Sequence, residues 1–84
     1  MTLKIVESFA NRLEEAINRS GKSQSKVAKA VGLTQASISH YKYGEQIPNT
    51  KTTCMLAKYL GCNELWLLGY NVPFGRNLDI TEVN

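Results

Sequence analysis

Five times along this chain a short segment with helical apolar spacing is halted by a glycine, at Gly21, Gly32, Gly44, Gly61 and Gly69. That punctuation rules out one long helix and leaves a series of short ones. In the first segment Val6, Phe9, Ala10, Leu13, Ala16 and Ile17 follow the three/four spacing of an amphipathic helix. Glu7, Asn11, Arg12, Glu14, Glu15, Asn18 and Arg19 fall on its other face, with Glu15 and Arg19 paired one turn apart. Ser23 is a capping residue for a second helix with Val27, Ala28 and Val31 inward. Thr34 caps a third around Ile38 and Tyr41. Pro48-Asn49 opens a fourth, with Leu56, Ala57 and Leu60 inward, and Asn63 caps a last turn or two, "ELWLL". Strand-like alternation is missing between them. The expected fold is therefore all-α, a compact five-helix bundle, in residues 1–69. Residues 70–84, "YNVPFGRNLDITEVN", read as an extended tail or linker.

Eighty-four residues form one small domain with one modest core and little room for a deep cleft. An apolar share of 43% is that of a globular protein. No apolar run approaches the roughly 18 residues of a membrane span, and "MTLKIVESFANR" lacks the apolar region of a signal peptide. A cytoplasmic location is expected.

Charge is uneven. Residues 1–62 carry nine Lys/Arg against four Glu, a balance of +5, while residues 63–84 balance at −2. A basic body suits an anionic partner. Cys54 and Cys62, the only cysteines, lie roughly 12 Å apart along a continuous helix, beyond disulfide reach. With no CxxC and His40 as the sole histidine, no metal site is expected, and the thiols read as buried and reduced. One His, one Asp and no glycine-rich phosphate loop assemble no nucleophile and base. No enzyme activity and no cofactor are expected.

The stretch "QSKVAKAVGLTQASISHYKYG", Gln24 to Gly44, is the most informative. Wound at about 100° per residue, the third helix puts Ile38 and Tyr41 on one side. Ser39, Tyr43, Ala36 and His40 fall on the opposite side. A merely solvated face would carry Glu and Lys. This one is short, polar and mostly uncharged, the composition needed by a helix lying in a DNA major groove. Ala28 lets the second and third helices cross closely. Gly32 suits the sharp turn between them, and Leu33 is placed to plug its inside. Lys42 falls on the flank and reads as an ordinary solvated lysine.

In these features the stretch resembles the helix-turn-helix of the lambda-type phage repressors and Cro proteins. The resemblance covers residues 5–69, including "LAKYLGCNELWLLG", which is similar to that family's fourth and fifth helices. It implies that Gln24 touches a phosphate and bonds to Gln35, which in turn reads an adenine edge. It also implies base-facing roles for Ala36, Ser37, Ser39 and His40, and backbone contacts for Tyr43 and Asn49. Ala36 can offer only contact with a thymine methyl, and the base preference of His40 stays open. Thr53 stands where leucine is common in the family, so that part of the core is expected to be more polar. The loop "GEQIPNTK" leaves Lys51 as its obvious phosphate contact.

The function implied is a sequence-specific transcriptional repressor, in a bacterial host cell and associated with its nucleoid, that binds a two-fold-related operator as a dimer. The antitoxin of a toxin–antitoxin pair is the alternative. The chain is expected to be either the N-terminal domain of a longer repressor or a small Cro-like protein, with the "ELWLLG" helix favouring the first. A short helix cannot bury Leu65, Trp66, Leu67 and Leu68 against one core. Leu65, Trp66 and Leu68 are therefore the expected dimer residues, with a dimer that is weak in the absence of DNA.

Overall fold

The computed structural model describes residues 3–75. Among them five helices follow in order: α1 (Phe9–Ser20), α2 (Gln24–Ala30), α3 (Gln35–Lys42), α4 (Thr50–Leu60) and α5 (Glu64–Leu67). Each opens on a side-chain cap. Ser8, Ser23, Thr34, Asn49 and Asn63 accept backbone N–H groups of the first turns. Such caps contribute about 1 kcal/mol each.

The core draws on every helix, most heavily on α1 and α4. Leu13, Ala16, Val27, Ile38, Leu56, Ala57 and Leu67 are fully buried. α1 packs against α3, α4 and α5, while α2 packs against α3 and α4. Burying each large apolar side chain is worth about 1.5–3 kcal/mol, so this shared cluster orients the helices. Thr53 is buried as well. Its hydroxyl donates to the Asn49 carbonyl at 3.0 Å, which satisfies it inside the core.

The corner between α2 and α3 depends on Gly32, whose φ of +75° is left-handed. The Leu33 N–H donates back to the Ala28 carbonyl at 2.8 Å, and the Leu33 side chain packs on the core. Buried Ala28 presents only a methyl group at this crossing.

Three departures from the sequence reading share one cause, long-range contact. First, α1 starts after Val6, which is exposed. The N–H groups of Val6 and Glu7 donate to the Gly69 carbonyl, at 2.8 and 3.3 Å, and Ile5 bridges Tyr70 antiparallel. Extended backbone pairing takes the donors that a helix would leave unpaired. Second, Arg12 is buried rather than on the polar face. Its guanidinium donates to the Trp66 carbonyl at 2.7 Å and to the Tyr70 carbonyl at 3.4 Å, and lies 4.4 Å from the centre of the Trp66 ring. Third, residues 70–75 are no free tail. Phe74 meets Trp66 edge-on at 4.6 Å, and the Asn63 N–H donates to the Phe74 carbonyl at 2.7 Å. The folded unit thus passes residue 69, and the rest of the expected tail, 76–84, lies outside the described residues.

Candidate nucleic-acid interface

The outward face of α3 follows from its one fully buried residue. With Ile38 in the core and Tyr41 edge-on to Phe9 at 6.3 Å, the opposite side points to solvent. Gln35 and Ala36 are exposed in the first turn. His40 is exposed, and its Nδ1 lies 2.5 Å from a carboxylate oxygen of Glu45. Tyr43, at the C-terminal cap, is 77% exposed. Ser37 and Ser39 are half-buried. The Ser37 hydroxyl accepts from Thr34 Oγ1 at 3.1 Å, so it is held near the cap.

Gln24 joins α2 to this face. Its Nε2 donates to Ser39 Oγ at 2.7 Å and to the Gln35 backbone carbonyl at 3.2 Å. Lys42 Nζ donates to its Oε1 at 3.1 Å. The expected link to Gln35 exists, but it ends on the main chain and leaves the Gln35 amide to solvent. Both Nε2 protons are engaged within the protein, so the side chain has no spare donor for a phosphate. Lys42, read from sequence as a flanking solvated lysine, belongs to this cluster. The missed signal is a partner 18 positions away, which periodicity within one helix does not reveal.

The structure brings Gln24, Gln35, Ser39 and Lys42 together. Asn49 and Lys51 stand apart from that network, at the start of α4. Asn49 is its N-cap, its Oδ1 accepting from the Thr52 N–H at 2.8 Å, and Lys51 is exposed in the first turn.

The fifth helix divides its four large residues. Leu67 and Trp66 are buried, whereas Leu65 and Leu68 are 39% and 36% exposed. Trp66 therefore serves the core, under Arg12 and Phe74, and its ring is not presented outward as a dimer residue would be. Leu65 and Leu68 line a cavity of about 270 Å³ with Pro48, Thr53 and Cys54. Cys54 and Cys62 form no disulfide. Among the described residues no three His, Cys, Asp or Glu side chains gather as a metal site, and no helix is long and apolar enough to cross a membrane.

This arrangement, a capped helix set across a glycine corner with an open polar face, defines a helix-turn-helix domain. The helix-turn-helix family model matches residues 13–67, and the chain belongs to that family. Its helix-turn-helix is of the lambda-type repressor kind, as two solved structures of the P22 c2 repressor indicate. One is that repressor in complex with the synthetic operator 9T, 25% identical, covering 75% of this chain and 96% of the repressor chain, with a TM-score of 0.70. The other is its DNA-binding domain in solution, 25% identical, covering 75% of this chain and 83% of that one, with a TM-score of 0.71. The SOS-response transcriptional repressor LexA of Eubacterium rectale is 28% identical over 71% of this chain and 64% of its own, with a TM-score of 0.67. Among curated proteins, none matches.

Proposed function

We propose that this chain is a sequence-specific transcriptional repressor that lays α3 in the DNA major groove and binds a two-fold-related operator as a dimer. The observation that carries the reading is the α3 face opposite Ile38. Ala36, His40 and Tyr43 stand exposed there, with Gln35 exposed beside them on the flank of the first turn. An exposed, mostly uncharged polar surface of this kind suits base edges better than it suits water. The P22 c2 repressor, crystallised on an operator, has the same fold and supports the partner chosen.

In this reading Gln35 bonds bidentately to adenine N6 and N7, and Ala36 meets a thymine methyl. Ser37, Ser39 and His40 contact neighbouring base edges. Tyr43, Asn49 and Lys51 hold the phosphate backbone and set the register. Leu65 and Leu68 form the dimer patch. One short helix reads only about four base pairs, so two copies at half-sites about 34 Å apart supply the remaining information.

Selection from random duplexes tests this. The expected product is one short half-site repeated with two-fold symmetry at a fixed spacing. A single unrepeated element would remove the dimer, and no enrichment would remove sequence recognition. Sedimentation should show monomer at micromolar concentration and two copies on the selected duplex.

A further inference from the structure

The cluster around Gln24 has a direction, and that direction bears on which bases the domain accepts. The inference rests on α3 being the base-contacting helix. A lysine ammonium can only donate, so the Gln24 amide atom it meets at 3.1 Å is the oxygen. The amide nitrogen then faces α3, and its two protons go to Ser39 Oγ and the Gln35 carbonyl. The Ser39 hydroxyl is thus an acceptor on its inner side. A helical serine ordinarily returns its own proton to the carbonyl four residues earlier. Here that carbonyl is Gln35's. Its two lone pairs are taken by the Ser39 N–H of the helix ladder and by Gln24. The hydroxyl proton is left for an acceptor outside the protein.

We propose that Gln24 is a positioning residue that fixes Ser39 as a hydrogen-bond donor to DNA, with Lys42 holding the amide in the required orientation. The base edge opposite Ser39 then has to offer an acceptor: purine N7, guanine O6 or thymine O4. Cytosine is disfavoured there, because its major-groove edge offers the N4 amino donor.

Gln24→Glu tests the polarity directly. A carboxylate keeps the Lys42 contact but has no proton for Ser39. The hydroxyl turns to donate inward, and its lone pairs face the groove. Selection from random duplexes with wild type, Gln24→Glu and Ser39→Ala compares preferences position by position. The added negative charge lowers affinity for every sequence alike, so only the base ratio is read.

In the wild type one position should exclude cytosine. Gln24→Glu should shift that position alone toward cytosine by about three- to tenfold, the size of one neutral hydrogen bond. Ser39→Ala should flatten the same position, with or without Gln24→Glu. Lys42→Met, which frees the amide to rotate, should also flatten it while the rest of the site stands. A merely structural role for Gln24 would lower binding to all sequences and move no ratio. If Gln24→Glu leaves unchanged the position that Ser39→Ala flattens, or if Ser39→Ala flattens none, the proposal is overturned and the repressor reading survives. A wild type that selects no sequence overturns both.

Discussion

Between Ser23 and Gly44 most bonds join residues within a turn or two of one another, whereas the corner where α1 meets α5 is held by Arg12, 54 positions from the Trp66 carbonyl it binds. The first region is built from local devices: the Ser23 cap, the Gly32 corner, the Thr34 cap. It buries Ile38 and leaves most of the remaining α3 surface open. In the second region polar groups are used up in holding distant segments together. Arg12 serves two carbonyls, Gly69 receives Val6 and Glu7, and Asn63 binds Phe74. A small domain thus keeps one surface polar and unspent by securing itself elsewhere. If that division is right, damage in the two regions should register in different measurements.

The largest effect is expected from Arg12→Met. Methionine restores most of the packing but removes the guanidinium bonds to the Trp66 and Tyr70 carbonyls, which keep only the backbone N–H groups of Gly69 and Val72. Charge-assisted hydrogen bonds and a partly desolvated cation–π contact contribute about 2–4 kcal/mol together. Thermal or urea unfolding should show that loss. DNA affinity of the remaining folded protein should be unchanged, since the polar and ring contacts of Arg12 go to Trp66 and Tyr70, away from α3. A large drop in binding with full stability would erase the contrast between the two regions.

This corner was the least legible part of the sequence. On a helical wheel Arg12 borders the apolar stripe, and an arginine there ordinarily reads as solvent-facing. Its burial depends on two carbonyls that arrive only when α5 and residues 66–70 pack against α1. The packing of Val72 and Phe74 was hidden for the same reason. Their surroundings, Pro73, Gly75 and three asparagines, carry the composition of a linker. The α2–α3 unit, by contrast, was readable almost residue by residue. Its caps, its corner and its buried face are each set by neighbours within one or two turns. What the sequence left out there was the link from Gln24 to Lys42, which lies between helices.

Gln35→Ala sharpens the comparison from the other side. It should leave unfolding unchanged, because the Gln35 side chain is exposed and its contact with Gln24 runs through the backbone. Specific binding should weaken by about 1–3 kcal/mol, with relaxed preference at one A·T pair. Titrations on the selected duplex and on random DNA would tell the outcomes apart. Equal losses on both would assign Gln35 a role that carries no sequence information.

Lys51→Ala should have a smaller effect, and one of a different kind. An exposed lysine in the first turn of α4 that contacts a phosphate weakens specific and non-specific binding alike. Its loss should reduce the slope of log affinity against log salt by about 0.9 for one contact on B-DNA. An unaltered slope would strike Lys51 from the interface and confine the functional region to α2 and α3.

The smallest effect belongs to Glu7, where the long-range corner meets the start of α1. Its carboxylate accepts from the Ser8 N–H at 2.8 Å and from Asn11 Nδ2 at 2.9 Å. These bonds, the Ser8 N–H first, favour the charged form and hold its pKa below the ordinary 4.5. A carboxyl group that is more acidic folded than unfolded adds stability above the unfolded pKa. That contribution is lost as pH falls through the lower, folded value. Glu7→Gln keeps an oxygen able to accept the same two bonds but has no proton to gain. Unfolding curves of wild type and variant should therefore run nearly parallel from neutral pH down to about pH 4.5, and the wild type should lose stability faster below it. Because Glu7 is fully exposed, water screens most of the effect, and the divergence should be slight. Binding measured at neutral pH should not move at all. Parallel curves throughout the acid range would mean that this cap contributes nothing pH-dependent to the corner, leaving Arg12 and the Gly69 carbonyl to hold it.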